Sequence, residues 1–218
     1  MLFADKNIKA IIFDMDGVLI DTEKYLTKYW CMAANEYGFP MELVHAYGIR
    51  SLQGEYASVK LKSIFGEDFD YIKVRDRRKE LMNEHISKYG IEGKPYVKES
   101  LEIMKNKGYV LAVATSTDYE RAEKYLKQIE VFSYFDAIIC ANMVKKGKPE
   151  PDIYIHVCEK LGFKPSECIA VEDSPNGVTS AAKAGTNVVM VPDLTEPTEY
   201  EIGCSIIMKN LKELAEVV

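Results

Sequence analysis

The amino-acid sequence predicts an α/β protein, a doubly wound parallel sheet with an inserted α-helical cap domain. Short, continuously apolar runs recur along the chain, which is typical of strands buried on both faces. Helical segments separate these runs, and that alternation is typical of parallel sheets with right-handed crossovers. One long helical interval interrupts the alternation and predicts the insertion.

Five apolar runs predict the strands: residues 10–13, 109–114, 137–140, 168–171 and 187–191. Between them, helical segments stop at glycines, a common helix end. Three of these segments are residues 96–107 before Gly108, 152–161 before Gly162 and 176–184 before Gly185.

Residues 22–94 hold a helical pattern without a convincing strand, so we assign residues 1–21 and 95–218 to the α/β core and residues 22–94 to the cap. A first helix begins after Asp21, and residues 51–66 and 68–90 predict two more. The first helix repeats apolar side chains at helical spacing, which we interpret as a packing surface rather than a ligand pocket. These side chains are Tyr25, Leu26, Tyr29, Trp30, Ala33 and Tyr37.

Composition excludes several classes of function. The 218 residues carry 28 Lys and Arg against 34 Asp and Glu, a net charge of −6, and no Lys/Arg run resembles a phosphate-binding stripe, which argues against a nucleic-acid partner. The five cysteines are scattered and form no Cys-x-x-Cys pair, as expected of reduced thiols. No apolar stretch reaches the roughly 20 residues of a membrane span. We therefore expect a cytoplasmic protein without a membrane partner; the oligomeric state stays open, a monomer included.

Polar residues follow four successive predicted strands, at the sheet edge where parallel α/β folds bind ligands. Each residue has a simpler explanation, because Asp, Ser and Thr often cap helices and Lys often lies in solvated loops. Gathered at one edge, however, they are costly to desolvate without a ligand. They are Asp14, Asp16 and Gly17; Thr115, Ser116 and Thr117; Lys148 and Pro149; and Glu172, Asp173 and Ser174.

The mixture of carboxylates, hydroxyls and one ammonium predicts a phosphate group together with a hard cation such as Mg²⁺. Lys148 adds a second positive charge, and hydroxyls hold phosphate oxygens. Asp14 and Asp16 suit a division into a nucleophile and a proton donor, although their spacing does not say which one attacks. A purely metal-binding Asp-x-Asp is the alternative interpretation.

Four motifs, in order, resemble those of the haloacid dehalogenase superfamily of phosphatases, in the helical-cap subgroup that includes β-phosphoglucomutase and phosphoglycolate phosphatase. The resemblance covers nearly the whole chain. Residues 14–22 (DMDGVLIDT) resemble the nucleophile loop, and Thr115-Ser116 the phosphate-binding hydroxyl motif. Residues 147–152 (GKPEPD) resemble the lysine motif, and residues 171–177 (VEDSPNG) the acidic metal motif.

The resemblance implies a Rossmann-like core and a role for each motif residue. Asp14 is then the nucleophile, and Asp16 the general acid and base. Thr115 and Lys148, with Gly17 and Ser116, hold the transferring phosphoryl group. The implied Mg²⁺ ligands are Asp14, the backbone carbonyl of Asp16, Glu172 and Asp173. The expected enzyme is a Mg²⁺-dependent phosphatase that hydrolyses a small phosphorylated metabolite through an aspartyl-phosphate.

Other functions remain. A phosphomutase uses the same phosphoaspartate, but β-phosphoglucomutases usually carry a cap His and a Lys before a Gly, where this chain has Leu26 and Tyr47. Asp16 and Asp173 argue against carbon–halogen cleavage, and a catalytically silent phosphate- or metal-binding module is the candidate from another class. In the cap, Gly48 and Arg50 are candidate substrate contacts. Arg75, Arg77 and Arg78 of the third cap helix could also meet anionic substrate groups, although a solvated helix face is the simpler prediction.

Overall fold

A six-stranded parallel sheet forms the centre of the protein, in the order β3-β2-β1-β4-β5-β6. The computed structural model describes Phe3 and residues 6–218. The strands are β1 (Ala10–Phe13), β2 (Val110–Thr115), β3 (Ala137–Cys140), β4 (Cys168–Glu172), β5 (Asn187–Met190) and β6 (Ile206–Ile207). The predicted α/β fold class with a parallel sheet is confirmed.

Four helices form the insertion between β1 and α5: α1 (Glu23–Glu36), α2 (Leu43–Tyr47), α3 (Gly54–Phe65) and α4 (Tyr71–Tyr89). The others accompany the sheet: α5 (Val97–Asn106), α6 (Tyr119–Gln128), α7 (Asp152–Leu161), α8 (Pro175–Ala184), α9 (Glu199–Cys204) and α10 (Leu211–Val217). Within the described residues, none of these helices is both long and apolar enough to cross a bilayer.

The sheet is covered on both faces because successive side chains of a strand point in opposite directions. Ile11 and Phe13 of β1 join one apolar cluster with α5 and α10. Ala10 and Ile12 join a second cluster with α7 and α8. All four side chains are fully buried, so continuous hydrophobicity along β1 reflects two cores rather than one.

The chain enters and leaves the four-helix insertion at one place. Ile20 forms an antiparallel bridge with Gly93, the Asp21 amide donates to the Glu92 carbonyl at 2.8 Å, and the Lys94 amide donates to the Leu19 carbonyl at 3.0 Å. The insertion has its own apolar cluster around Trp30, Leu61 and Phe69. Met82 and Ile86 of α4, however, belong to the core of the sheet, so the division at residues 22 and 94 stays a prediction.

Several elements differ from the sequence-based prediction. Helix α3 begins at Gly54 rather than residue 51, because Ser51 has a φ of 59°, in the left-handed region that a helix excludes. Strands β2 and β4 each run one residue further, to Thr115 and Glu172, which pair with the neighbouring strands. The short elements α2, β6, α9 and α10 were not predicted, since such short segments show little periodicity.

Leu101 tests the core on the α5 face, where it is fully buried. Leu101→Ala should lower the free energy of unfolding by about 2–5 kcal/mol, because the lost contacts and the residual cavity both cost stability. Ile72, 54% exposed on α4, is the control, and Ile72→Ala should change stability by less than about 1 kcal/mol. Urea titration measures both. A loss for Leu101→Ala no larger than for Ile72→Ala would contradict this packing.

Candidate active site

A cavity of about 370 Å³ lies between the carboxyl edge of the sheet and the helical insertion. Asp14 and Asp16 line it from the loop after β1, and Ser116 and Thr117 line it from the end of β2. Leu26 and Trp30 of α1 line the opposite side. The apolar stripe of α1 therefore serves both purposes considered from the sequence, since it packs the insertion and also contributes to a pocket wall.

Lys148 connects the two acidic motifs. Its Nζ atom lies 2.8 Å from Asp14 Oδ1 and 2.6 Å from Glu172 Oε1, and it donates to the Ala114 carbonyl at 3.0 Å. The side chain is completely buried. Burial alone lowers the pKa of a lysine, but here Asp14 and Glu172 outweigh burial and raise the pKa of Lys148 above its ordinary value. Lys148 is thus a fixed positive charge beneath Asp14.

Asp16 is held on the other side of Asp14 by two hydroxyl donors. Thr22 donates to its Oδ1 at 2.5 Å, and Thr117 donates to its Oδ2 at 3.0 Å. Burial raises the pKa of the Asp16 carboxyl, the Thr22 hydrogen bond opposes that shift, and the charge of Asp14 adds to it. A raised carboxyl pKa suits a group that must donate a proton.

Asp14, Glu172 and Asp173 each place a carboxylate oxygen within 4.8 Å of the others. Glu172 Oε2 and Asp173 Oδ1 are buried and have no hydrogen-bond partner among the described residues. Burial raises the pKa of Glu172 to about 7, although Lys148 opposes this shift. Burial also raises the pKa of Asp173, and the nearby charge of Glu23 adds to that effect. Unpartnered carboxylate oxygens that converge in this way fit a small hard cation such as Mg²⁺.

Two glycines leave room for the carboxylates of Glu172 and Asp173. A Cβ at Gly177, in the first turn of α8, would lie 2.0 Å from Glu172 Oε2. A Cβ at Gly17 would lie 2.4 Å from Asp173 Oδ2, and Gly17 also has a φ of +88°. Both positions therefore require glycine for the carboxylates to keep these places.

The cap loop, residues 48–53, closes over this edge of the sheet. Arg50 donates to Asp173 Oδ2 at 3.2 Å and to Thr195 Oγ1 at 2.7 Å. The backbone amide of Gln53 donates to the Lys148 carbonyl at 3.0 Å, and the side-chain Oε1 of Gln53 accepts from the Gly147 backbone amide at 2.7 Å. The loop thus contacts both the lysine motif and the acidic motif.

Ser51 completes the contact of the cap loop with the sheet. Its hydroxyl lies 3.4 Å from Asp14 Oδ2, and its carbonyl accepts from Ser116 Oγ at 2.8 Å. The Ser116 hydroxyl proton is therefore engaged by the cap loop in this structure. Thr115 is fully buried, and its Oγ1 accepts from the Thr117 amide at 3.0 Å.

The structure brings Asp14, Lys148, Glu172 and Asp173 together and places Asp16 and Ser116 in the cavity wall. It divides the cap residues. Gly48 does not line the cavity; its carbonyl accepts from Lys60 at 2.8 Å. Arg50 lines the cavity but pairs with Asp173. Arg77 matches the predicted solvated face, with Glu36 at 2.6 Å and Glu80 at 3.1 Å. Arg75 and Arg78 line the cavity, although the Arg75 side chain is about as exposed as that of Arg77, 30% against 28%.

Sequence reasoning missed three residues of the site. Glu23 is buried and lines the cavity, and burial together with Asp16 raises its pKa to about 8. Tyr154 of α7 is fully buried and donates its hydroxyl to Glu172 Oε1. Gln53 binds the lysine motif. Glu23 directly follows the nucleophile loop, and Tyr154 lies two residues after the lysine motif, which is a usable signal. Nothing in the sequence around Gln53 indicates its contact.

Comparison with known proteins agrees with this arrangement. Residues 8–185 match the family of haloacid dehalogenase-like hydrolases. The chain belongs to that family. The recognition made from the four motifs, and the expectation of an enzyme, are both confirmed.

Three relatives illustrate the range of the family. A phosphorylated carbohydrates phosphatase of Thermotoga maritima is 35% identical over 82% of this chain and 82% of its own length. A β-phosphoglucomutase of Bacillus subtilis is 28% identical over 95% of this chain and 92% of its own. The crystal structure of a proposed β-phosphoglucomutase, also from Thermotoga maritima, has a TM-score of 0.72 at 29% identity, and the match covers 97% of this chain and 100% of that one.

Gly177→Ala tests the placement of Glu172. The added Cβ must displace the Glu172 carboxylate, so we expect loss of most phosphatase activity, by about 10²-fold or more, since outer contacts of a metal site commonly count for 10–100-fold. Gly203→Ala in α9 is the control, because nothing lies within 4 Å of its Cβ position. Turnover of p-nitrophenyl phosphate at varied Mg²⁺, with thermal unfolding of both variants, measures the effect. Equal activity in the two variants would contradict the placement.

Proposed function

We propose that this protein is a Mg²⁺-dependent phosphatase that hydrolyses a small phosphorylated metabolite through an aspartyl-phosphate at Asp14. The observation that carries the proposal is the set of groups around Asp14. Lys148 lies at 2.8 Å, and the oxygens of Glu172 and Asp173 converge within 4.8 Å. Asp16 is held separately by Thr22 and Thr117.

The two aspartates then have different tasks. A carboxylate oxygen of Asp14 attacks phosphorus, and the bond from phosphorus to the ester oxygen breaks. Asp16 gives its proton to that oxygen, and the alcohol leaves. In the second step Asp16 takes a proton from water as the water attacks the phosphorus. The bond to Asp14 breaks, inorganic phosphate leaves, Asp14 is again a carboxylate, and Asp16 has regained its proton.

The protein alone leaves this site short of positive charge. Asp14, Glu172, Asp173 and Glu23 lie together, with Lys148 and Arg50 as the nearby cations. Asp14, Glu172, Asp173 and the Asp16 carbonyl would hold Mg²⁺, which neutralises a phosphate dianion beside carboxylates. Thr115, Lys148 and the loop at Gly17 would hold the phosphoryl oxygens, and Ser116 would do so once its hydroxyl leaves the Ser51 carbonyl.

The relatives support a phosphorylated carbohydrate as the class of substrate, since one of them is named for such substrates and covers 82% of this chain. A cavity of about 370 Å³ has room for a ligand of that size. A phosphomutase of the β-phosphoglucomutase type is the second candidate, because such a relative matches 95% of the chain. Leu26, at the position where the resemblance predicts a His in those mutases, gives the cavity wall a hydrocarbon side chain.

Removal of the metal should abolish turnover. Without the cation, the carboxylates beside Asp14 repel the phosphate dianion. Dialysis against EDTA should reduce hydrolysis of p-nitrophenyl phosphate to background, and added Mg²⁺ should restore it. Full turnover in the chelated enzyme would rule out the metal requirement.

The roles of the two aspartates differ in the phosphoenzyme that each variant forms. Asp14→Asn should form none. Asp16→Ala should still react with p-nitrophenyl phosphate, whose leaving group needs no proton, but should lose about 10²- to 10⁴-fold with a sugar phosphate. Its phosphoaspartate should accumulate, because no base activates water.

Acid quenching followed by mass spectrometry of the peptide that contains Asp14 detects this intermediate. Asp16→Asn is the matched control for size, and it should behave as Asp16→Ala does. Phosphate on Asp16 in the Asp14→Asn variant would reverse the assigned roles. Transfer of phosphate to a second sugar hydroxyl, rather than to water, would identify the mutase.

A further inference from the structure

Basic side chains gather at the part of the cavity wall formed by α4 and α6. Arg75, Arg78 and Lys79 of α4 and Arg121 of α6 all line the cavity. We call these four residues the basic cluster. The cluster comes from the insertion and from the sheet domain together, so it encloses space that a ligand beside Asp16 can reach.

Arg78 is the least satisfied member of the basic cluster. No carboxylate pairs with it anywhere in the described part of the chain, and its Nε atom is buried without a hydrogen-bond partner. Its guanidinium lies over the Trp30 ring at 5.3 Å from the centroid, which fixes the plane of the fork. Buried guanidinium donors without partners are costly unless a ligand satisfies them.

The other cations leave the cluster with excess positive charge. Arg75 pairs with Asp76 at 3.0 Å and Arg121 with Asp118 at 2.7 Å, both in partly exposed positions. Burial, together with the charge of Arg121, lowers the pKa of Arg78 to about 10. Burial, together with the charge of Arg75, lowers the pKa of Lys79. The cations thus repel one another, and an anion placed among them would relieve the repulsion.

The geometry points to a second anion site formed by Arg78 with Arg75, Lys79 and Arg121, which binds a carboxylate or phosphate carried by the leaving group of the substrate. This inference rests on the proposed phosphatase function and narrows its substrate to esters that carry two anionic groups. One group reacts at Asp14, and the other binds the basic cluster. Carboxylates and phosphates share the geometry that an Arg fork recognises.

Matched substrates test the inference. Two pairs differ by a carboxylate: 6-phosphogluconate with glucitol 6-phosphate, and 3-phosphoglycerate with glycerol 3-phosphate. A further pair, fructose 1,6-bisphosphate with fructose 6-phosphate, differs by a phosphate. In at least one pair, the member with the second anionic group should exceed the other member in kcat/KM by about tenfold or more, the usual value of a charge-assisted contact. The pair that shows the preference identifies the anion.

Variants of α4 assign the preference to Arg78. Arg78→Gln should reduce the ratio within the preferred pair to less than about twofold. Arg78→Lys should retain most of it, because the charge remains, and so separates loss of the anion contact from faulty folding. Arg77→Gln is the matched control, with the same change of charge on the same helix outside the cavity, and it should leave the ratio unchanged.

The outcomes separate this inference from the proposed function. p-Nitrophenyl phosphate reports phosphatase chemistry without a second anion, so failure to hydrolyse it overturns the proposed function. In that case, calorimetry can compare the affinities of the same pairs for Asp14→Asn and so still decide whether the anion site exists. The inference would be overturned if the two members of every pair reacted equally well with the wild-type enzyme and bound equally well to Asp14→Asn. Equal loss of preference in Arg77→Gln and Arg78→Gln would do the same.

Discussion

The contact of Lys148 with Asp14 and Glu172 is the interaction on which the site depends. The strand ends bring carboxyl groups into a buried space, where each raises the free energy of its neighbours. Lys148 is the only cation that contacts both acidic motifs within the described residues. Without it, the carboxylates would repel one another, and their pKa values would rise. The buried ion pairs therefore set the charge of the site, and the bond from Lys148 to the Ala114 carbonyl attaches them to β2.

The cap loop adds the second constraint. Arg50 reaches Asp173, Ser51 lies beside Asp14, and Gln53 binds the backbone on both sides of the Gly147–Lys148 peptide. Each contact links the insertion to a different motif of the sheet edge. The reacting groups thus lie on the rigid sheet, whereas the opposite wall of the cavity belongs to the insertion. The same catalytic edge can therefore serve different leaving groups when the opposite wall changes.

Much of this arrangement follows from the sequence because the strong signals are local. Continuous apolar runs and glycine stops predicted the parallel sheet, and strand ends predicted which polar residues meet at one edge. The contacts made by Gln53 and Arg78 depend instead on how the insertion lies over the sheet, which no local pattern records. Arg75, Arg77 and Arg78 show the difference, since three cations on one helix look alike in the sequence. The structure places Arg75 and Arg78 in the cavity wall and Arg77 outside it, in ion pairs with glutamates.

The bridge between Ile20 and Gly93 has a consequence for the length of the helical segment. Because the two connections lie side by side and are hydrogen-bonded to each other, the ends of the helical segment stay together whatever its length. Closing a loop across such a short gap costs little entropy, and that cost grows only slowly with the number of residues inserted. The length of the segment can therefore vary at small cost, whereas Met82 and Ile86 of α4 have to be kept, because they pack in the core of the sheet.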